Sequence, residues 1–294
     1  MMHTFYSKRV IAGIIVAVIG VGLLFYFLSR NKKDDRLVPP TQVVIKSSHP
    51  LHTVIGQSVE GRDIDAYTFG TGETHLVFIG GIHGGYEWNS VVLAYGVIDY
   101  IDANPTMVPE NITVTIIPSA NPDGVFKVIG KQGRFLSGDV LKNVSTVSGR
   151  FNANNVDLNR NFDCKWQPES MWQNKTVSAG TGAFSEPEAL AIKNFILKQH
   201  PVVTVFWHSQ SGAVYASKCE NGILPKTLDT MNVYAQGSGY PAIKTFDAYE
   251  TTGGADDWMA SVGMPAFSVE LTTHETIELD KNMGGVKALF DYYK

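Results

Sequence analysis

The sequence predicts an α/β fold in which a mixed, mostly parallel central sheet has helices on both faces, preceded by one transmembrane helix. Short β-branched runs such as HLVFI (75–79) and VVTVFW (202–207) alternate with longer segments of helical periodicity such as SEPEALAIKNFILKQ (185–199). Strands that are apolar along their whole length are typical of parallel sheets covered on both sides. Separately, the uncharged run from Val10 to Leu28 has the length of a bilayer-spanning helix.

We divide the chain into a tail (1–9), a transmembrane anchor (10–29), a linker (30–45) and a folded domain (46–294). The apolar run is long for a cleaved signal peptide, and no small-x-small site comes after it. Basic residues are more frequent after the span than before it, which by charge counting places the domain inside. A short tail next to a span is, however, typical of a signal anchor that exports the downstream domain. We therefore expect a single-pass, membrane-anchored protein whose domain is extracytoplasmic.

Local patterns predict the remaining elements in chain order. HTVIGQSV and DIDAYTFG flank Glu60-Gly61-Arg62 and predict a hairpin. Ser185 and Glu188 have capping-box spacing at the start of the helix in 185–199. Residues 124–182 lack periodicity and are predicted to be irregular, as functional segments often are. The other strands are predicted at HLVFIGG, NITVTII, VVTVFWH, GAVYAS and PAFSVEL, and the other helices at 87–103, at 224–236, from near 254, and up to 293.

Composition excludes some classes of protein. A net charge of -4 and a pI near 6.1 provide no basic field for nucleic acid. Cys164 and Cys219 are the two cysteines, too few for a thiolate zinc site. They could form one disulfide outside the cell, but the sequence does not show whether they meet.

Three metal-binding side chains stand where predicted strands end. His83 and Glu87 lie in GGIHGGYEWNS (80–90), directly after HLVFI, and His208 comes directly after VVTVFW. Open α/β sheets bind ligands at the carboxyl ends of their strands. Two imidazoles and a carboxylate suit Zn2+, and three protein ligands leave a position open for water. The structural alternatives are a solvated helix start for His83 and Glu87 and a hydrogen-bonded core histidine for His208. The other histidines in the folded domain have no comparable setting, and we interpret them as structural or surface residues: His49, His52, His75, His200 and His274.

Further polar residues favour catalysis over a purely structural role. RFNANNVDLNRNF (150–162) places Arg150, Asn159 and Arg160 in a polar loop, and guanidinium forks match a carboxylate or a developing oxyanion. Tyr249 precedes a glycine pair that suits a mobile loop. Glu270 lies near the end of the strand PAFSVEL, where desolvation would raise its pKa toward that of a useful general base. Surface arginines and a solvated glutamate are the structural alternatives.

Six motifs in this order and at these separations resemble the zinc metallocarboxypeptidase family of the pancreatic carboxypeptidases A and B, from about residue 50 to the end. They are His83 with Glu87, NPDG (121–124), VDLNRNF (156–162), the strand-end His208, YETTGGADDW (249–258) and VEL (269–271).

The resemblance implies a zinc-dependent exopeptidase that acts on peptide or protein C-termini. His83, Glu87 and His208 would hold one Zn2+ per chain, and Glu270 would take the proton of the attacking water. Arg150 would stabilise the tetrahedral intermediate.

The resemblance also implies how substrate is bound. Asn159 and Arg160 would grip the terminal carboxylate, and Tyr249 would close over the substrate. Asp256 occupies the place where basic-specific members, similar to carboxypeptidase B, carry an aspartate, which favours C-terminal Lys or Arg. The structural alternative is that Asp256 or Asp257 caps the next helix, and Asp257 suits that role better.

One departure from the family pattern is the spacing of the first two ligands. The family has H-x-x-E, whereas Gly84, Gly85 and Tyr86 make this pair H-x-x-x-E, and we expect the glycine turn to absorb the extra residue. Two other functions remain open. One is a cell-wall peptidase or amidase of the same fold that cuts diaminopimelate-containing peptides, and the other is a membrane-tethered binding module without catalysis.

Overall fold

The structure is a computed structural model that describes residues 49–294. Within these residues the central sheet has eight strands. The strands of the described chain are β1 Leu51–Gln57, β2 Asp63–Gly70, β3 Thr74–Ile79, β4 Ile112–Ile117, β5 Glu169–Trp172, β6 Lys175–Ser178, β7 Val203–Ser209, β8 Ala213–Ala216, β9 Ala242–Ile243 and β10 Ala266–Leu271. The spatial order in the central sheet is β1, β2, β4, β3, β7, β10, β8, β9, and β5 and β6 form a separate hairpin.

The middle of the sheet is parallel and its margins are largely antiparallel. β4, β3, β7 and β10 run parallel as consecutive neighbours, while β1 pairs with β2, β2 with β4 and β10 with β8 in antiparallel ladders. The predicted mixed α/β sheet and the predicted hairpin around Glu60–Arg62 are thereby confirmed. The parallel core places the ends of β3, β7 and β10 side by side.

Helices cover both faces of the sheet, because successive residues of a strand point to opposite sides. Leu76 and Phe78 of β3 pack into one apolar cluster and Val77 and Ile79 into another. The helices are α1 Trp88–Ala103, α2 Pro122–Ile129, α3 Pro187–Gln199, α4 Pro225–Ser238, α5 Ala255–Ser261 and α6 Leu279–Tyr293. The first cluster contains side chains of α1, α4 and α6, and the second contains those of α3 and α5.

The predicted irregular segment is partly regular. Helix α2 begins at Pro122, and the hairpin of β5 and β6 lies within residues 124–182 together with three short 3-10 turns. Four-residue strands and single 3-10 turns are too short to create a readable period, which is why the pattern missed them.

The predicted capping box is wrong. Pro187 occupies the first turn of α3 and Glu186 is the N-cap, without a side-chain capping bond. The Ser185 hydroxyl instead donates to Glu186, and Glu188 accepts from the backbone N–H of Val59. A proline drives the residue before it out of the helical region, and Glu186 is accordingly extended (φ -88°, ψ 135°), so the helix starts one residue later than the box requires.

Cys164 and Cys219 form a disulfide that joins the loop after the VDLNRNF motif to the segment after β8. The described residues lie in one compact unit, Lys46–Lys294. The predicted tail, anchor and linker all lie outside the described residues. Within residues 49–294, every helix is too short or too polar to span a bilayer.

Candidate metal centre and substrate cavity

The parallel core of the sheet positions the candidate ligands and base. His208 on β7 is directly opposite Glu270 on β10 in the register of the two strands, so their side chains leave the sheet on the same face. On the other side of β7, the chain leaves β3 at Ile79 and reaches His83 four residues later.

The turn that carries His83 and Glu87 depends on its two glycines. Residues Gly84–Glu87 form a 3-10 turn, and Gly84 has φ +44°. A Cβ on Gly84 would lie 2.6 Å from the carbonyl oxygen of Gly149, and one on Gly85 would lie 2.6 Å from that of Gly124. The glycine pair therefore accommodates the extra residue of H-x-x-x-E and lets the turn pack against the segment that ends at Arg150.

His83, Glu87 and His208 converge in a buried cluster. Nδ1 of His83 lies 2.7 Å from Oε1 of Glu87, and Nδ1 of His208 lies 3.0 Å from Oε2. One ligand atom from each residue lies within 4.8 Å of the others. Burial alone would raise the pKa of Glu87, but the two imidazoles lower it; burial alone would lower the pKa of His208, but Glu87 raises it.

These residues fit a zinc ion by the chemistry of their donor set. Two imidazole nitrogens and one carboxylate facing a common point, with a cavity on the open side, match a catalytic rather than a structural zinc site. Nε2 of His83 is buried without a hydrogen bond and lies 3.4 Å from Oδ1 of Asp157. A carboxylate behind a ligating imidazole is the usual partner that orients the ring and raises its basicity.

Asp157 also holds Arg150. Its Oδ2 accepts from Nε and Nη2 of Arg150 at 2.9 and 2.8 Å, and both side chains are buried. Nη1 of Arg150, the other end of the guanidinium, lies 4.0 Å from Oε1 of Glu87 and so faces the metal cluster. Sequence reasoning gave Asp157 no role, although a carboxylate between Val156 and Leu158 in the VDLNRNF motif was a usable signal.

Arg160 is anchored but keeps donors for a ligand. Its Nε and Nη2 donate to the carbonyl of Met171, and Nη1 donates to the carbonyl of Asn159. Three of the five guanidinium N–H groups are thus used, which leaves one on each terminal nitrogen. Oδ1 of Asn159 accepts from the backbone N–H of Ala255, so this amide is held against the start of α5.

One cavity of about 380 Å³ contains all nine predicted site residues in its lining. They are His83, Glu87, Arg150, Asn159, Arg160, His208, Tyr249, Asp256 and Glu270. Among the described residues the carboxylate of Glu270 has no hydrogen-bond partner, and burial together with the charge of Glu87 raises its pKa to about 7, against the opposing effects of His208 and Arg150. The cavity therefore joins a metal-binding cluster, a carboxylate with raised proton affinity and two arginines.

Asp256 and Asp257 both line this cavity but accept hydrogen bonds from different partners. Oδ2 of Asp256 accepts from the Ser268 hydroxyl at 2.8 Å, and Ser268 lies two residues before Glu270 on the same face of β10. Oδ1 of Asp257 accepts from the backbone N–H of Lys218 at 2.8 Å. The structural alternative, in which Asp256 or Asp257 caps α5, does not apply, because Gly254 is the N-cap and no side chain caps the helix.

The cavity lining also contains residues that sequence reasoning passed over. His274, interpreted from the sequence as an ordinary histidine, lines the cavity beside Tyr86, with ring centroids 4.6 Å apart. Trp172 stacks its ring 4.5 Å from the Arg150 guanidinium carbon, and Lys218 lines the cavity near the two aspartates. Their signals were weak, because a lone His, Trp or Lys outside a long periodic segment shows neither a period nor a motif spacing.

The sequence matches the zinc carboxypeptidase family, peptidase M14, over residues 43–283, and the chain belongs to that family. Members of this family are zinc-dependent peptidases. In this chain His83, Glu87 and His208 form the candidate zinc cluster.

Relatives within the family differ in activity. The chain is 27% identical over 244 residues to a gamma-D-glutamyl-L-diamino acid endopeptidase 1 of Lysinibacillus sphaericus, with 74% of this chain and 60% of that protein covered. It is 30% identical over 187 residues to carboxypeptidase M of Mus musculus, with 59% and 36% covered. The match thus spans less than two thirds of the length of either relative.

Solved structures share the fold. Carboxypeptidase A of Helicoverpa armigera superposes with a TM-score of 0.62 at 20% identity, covering 84% of this chain and 67% of that one. Murein-tripeptide amidase MpaA of Escherichia coli O157 superposes with a TM-score of 0.58 at 20% identity, covering 83% and 91%.

Proposed function

We propose that this chain is a zinc-dependent carboxypeptidase that removes the C-terminal residue of peptides or proteins. The observation that carries the proposal is that one cavity combines the His83, Glu87 and His208 cluster, the unpaired carboxylate of Glu270 and the two remaining N–H groups of Arg160. A zinc ion held by the cluster would polarise the scissile carbonyl and acidify water.

The other steps belong to side chains of this chain. Glu270 accepts the proton of the attacking water and passes it to the leaving amine, a role that suits its raised pKa. Nη1 of Arg150 donates to the oxyanion of the tetrahedral intermediate, and Asp157 holds the guanidinium in place. Arg160 and Asn159 bind the terminal carboxylate, and Tyr249 covers the bound residue.

We further propose a preference for C-terminal Lys or Arg. Asp256 is half-buried, lines the cavity and is oriented by the Ser268 hydroxyl, so a substrate ammonium or guanidinium would meet a desolvated carboxylate. A hydrogen bond between such charged groups contributes roughly 1.5–3 kcal/mol, about ten- to a hundredfold in kcat/KM.

The test compares peptides that end in free Lys, free Leu or amidated Lys, with and without a chelator. We expect chelator-sensitive release of Lys, slower release of Leu, and no release from the amide. Asp256→Asn should lose the Lys preference and keep Leu release, whereas Asp247→Asn, which removes an exposed carboxylate from the preceding loop, should change neither. Faster release of Leu than of Lys by the wild type would refute the Asp256 assignment.

The second candidate is a cell-wall peptidase that acts on diaminopimelate, whose side chain ends in both an ammonium and a carboxylate. Lys218 favours it, because this cation lines the same cavity as Asp256. One relative is a gamma-D-glutamyl-L-diamino acid endopeptidase, and one protein of the same fold is a murein-tripeptide amidase. A pocket with one carboxylate and one ammonium would match both charges of that side chain.

Matched peptides separate the two candidates. A peptide ending in L-Ala-γ-D-Glu-diaminopimelate is compared with the same peptide ending in Lys, using the wild type and Lys218→Met. Selective loss of the diaminopimelate reaction in Lys218→Met supports the second candidate, and equal rates with Lys218→Met and the exposed-site control Lys244→Met refute it. A binding module without catalysis is supported if neither peptide is cleaved and the purified protein contains no zinc.

We also propose that the domain is extracytoplasmic and anchored through residues 10–29. The disulfide between Cys164 and Cys219 supports this location, since disulfides persist in oxidising compartments. The expected result is recovery of the chain in the membrane fraction after alkaline extraction, together with digestion of the domain by protease added outside intact cells. Digestion only after the cells are opened would refute the orientation.

A further inference from the structure

His274 lines the cavity, yet the proposed reaction gives it no part. It lies three residues after the end of β10, and its ring lies 4.6 Å from that of Tyr86. Its Nδ1 lies 2.7 Å from the hydroxyl oxygen of Ser209, the residue after the candidate ligand His208. Nε2 of His274 has no partner among residues 49–294, and it is not one of the buried unpaired atoms, so solvent in the cavity reaches it.

The hydrogen bonds behind the ring determine which nitrogen carries the proton. Nδ2 of Asn89 donates to the carbonyls of Thr273 and Thr276 at 2.7 and 3.0 Å, which fixes the orientation of the amide because only nitrogen can donate to them. Oδ1 of Asn89 therefore accepts the hydroxyl hydrogen of Ser209 at 3.0 Å. A hydroxyl has one hydrogen, so the Ser209 oxygen must accept from Nδ1–H of His274.

A neutral His274 consequently presents a lone pair on Nε2 to the cavity. Burial lowers the pKa of His274, although Glu87 and Glu275 act in the opposite direction, and this favours the neutral ring at neutral pH. The charges that act on the ring include Glu87, His83 and Arg150, which places it at the metal end of the cavity. A fixed, solvent-reached acceptor at this end suits a hydrogen-bond donor on a bound ligand.

We propose that Nε2 of His274 accepts a hydrogen bond from a main-chain N–H of the peptide substrate, upstream of the scissile bond. The inference rests on the proposed carboxypeptidase function. A peptide whose terminal carboxylate is bound by Arg160 and whose scissile carbonyl lies at the metal cluster needs further wall of the same cavity for its upstream residues, and Tyr86 and His274 belong to that wall. Ser209 and Asn89 are positioning residues, because they act on substrate only through the ring.

The test is a double comparison in the full-length, zinc-loaded protein. The parent substrate is an acylated tripeptide with a free C-terminal Lys, and two analogues carry an N-methyl group on the first or the second residue upstream of the scissile bond. We expect one analogue to raise KM of the wild type roughly three- to tenfold. His274→Asn retains a donor for Ser209 but lacks Nε2, and should raise KM for the parent by the same factor with little change in kcat.

Non-additivity is the decisive result. In His274→Asn the sensitive analogue should carry no further penalty, since the hydrogen bond is already lost. His274→Gln, whose side-chain oxygen lies near the place of Nε2, should recover part of the affinity for the parent peptide and with it part of the N-methyl penalty. This reduced penalty is the test if His274→Asn does not fold.

Additive penalties in the variant, or a fall in kcat with unchanged KM, would overturn the proposal. If the wild type releases no Lys from the parent peptide, the carboxypeptidase proposal itself fails and this inference fails with it. If the wild type cleaves both N-methyl analogues as well as it cleaves the parent peptide, the inference about His274 is overturned while the carboxypeptidase proposal stands.

Discussion

Replacing Asp157 with Asn tests the part of the site that depends most on a single buried charge. Asp157 is fully buried, and burial alone would raise its pKa, but Arg150 and Arg160 hold that pKa below its ordinary value. Its two oxygens serve two residues, since Oδ2 accepts two hydrogen bonds from Arg150 and Oδ1 lies 3.4 Å from Nε2 of His83. Asp157→Asn keeps the shape of the side chain and removes the charge.

Two separate losses are expected. Arg150 would keep a buried charge without its partner, an effect that costs about 3–5 kcal/mol of unfolding free energy, and we expect the low end because the amide oxygen still accepts one hydrogen bond. His83 would lose the carboxylate behind its ring, which typically weakens metal binding about ten- to a hundredfold.

Denaturant unfolding of the metal-free protein measures the first loss, and competition with a chelator measures zinc affinity. Asp163→Asn is the matched control, because Asp163 lies six residues further along the same loop and is exposed. The control should keep wild-type values in both assays. Wild-type zinc affinity in Asp157→Asn would show that the contact with His83 does not support the ligand, and unchanged stability would show that Arg150 does not depend on this carboxylate.

Three further changes test other parts of the structure. Gly85→Ala would place a Cβ 2.6 Å from the carbonyl oxygen of Gly124, so we expect a lower melting temperature and weaker zinc binding. A variant that matches the wild type in both measurements would contradict the close packing of Gly85 against Gly124. Burial and the charge of Asp256 raise the pKa of Asp257 to about 7, so the folded state holds this proton more tightly than the unfolded chain. As the pH rises between the two pKa values, the wild type should then lose roughly 1.4 kcal/mol of unfolding free energy per pH unit. Asp257→Asn should therefore gain stability relative to the wild type from pH 4 to pH 8 in thermal unfolding. Parallel stability curves for the two proteins would exclude this titration. Replacing Cys164 and Cys219 with Ser removes a link between residues 55 apart in the sequence. From the loop entropy of the unfolded chain, we expect a loss of roughly 4 kcal/mol of unfolding free energy in guanidinium titrations. An unchanged midpoint would mean that the bond does not constrain the unfolded chain.

Local patterns predicted the parts of this fold that local forces decide. Period-two and fully apolar runs indicated β1, β2, β3, β7 and β10, because a strand that packs on a sheet shows its burial in its own residues. The start of α3 was placed wrongly because Pro187 overrides the capping box, and the hairpin of β5 and β6 was missed because four residues carry too little pattern.

Residue patterns along the chain were enough to predict the alternation of strands and helices, the placement of His83, His208 and Glu270 at strand ends, and a family resemblance. The partners of these residues became known only from the folded structure. The hydrogen bond between Ser209 and Asn89 joins positions 120 residues apart, and the contact of Ser209 with His274 spans 65. The position of the proton on the His274 ring, the charge on a carboxylate and the anchoring of an arginine depend on atoms within about 4 Å. Periodicity and spacing in a single sequence do not encode which distant residues come that close.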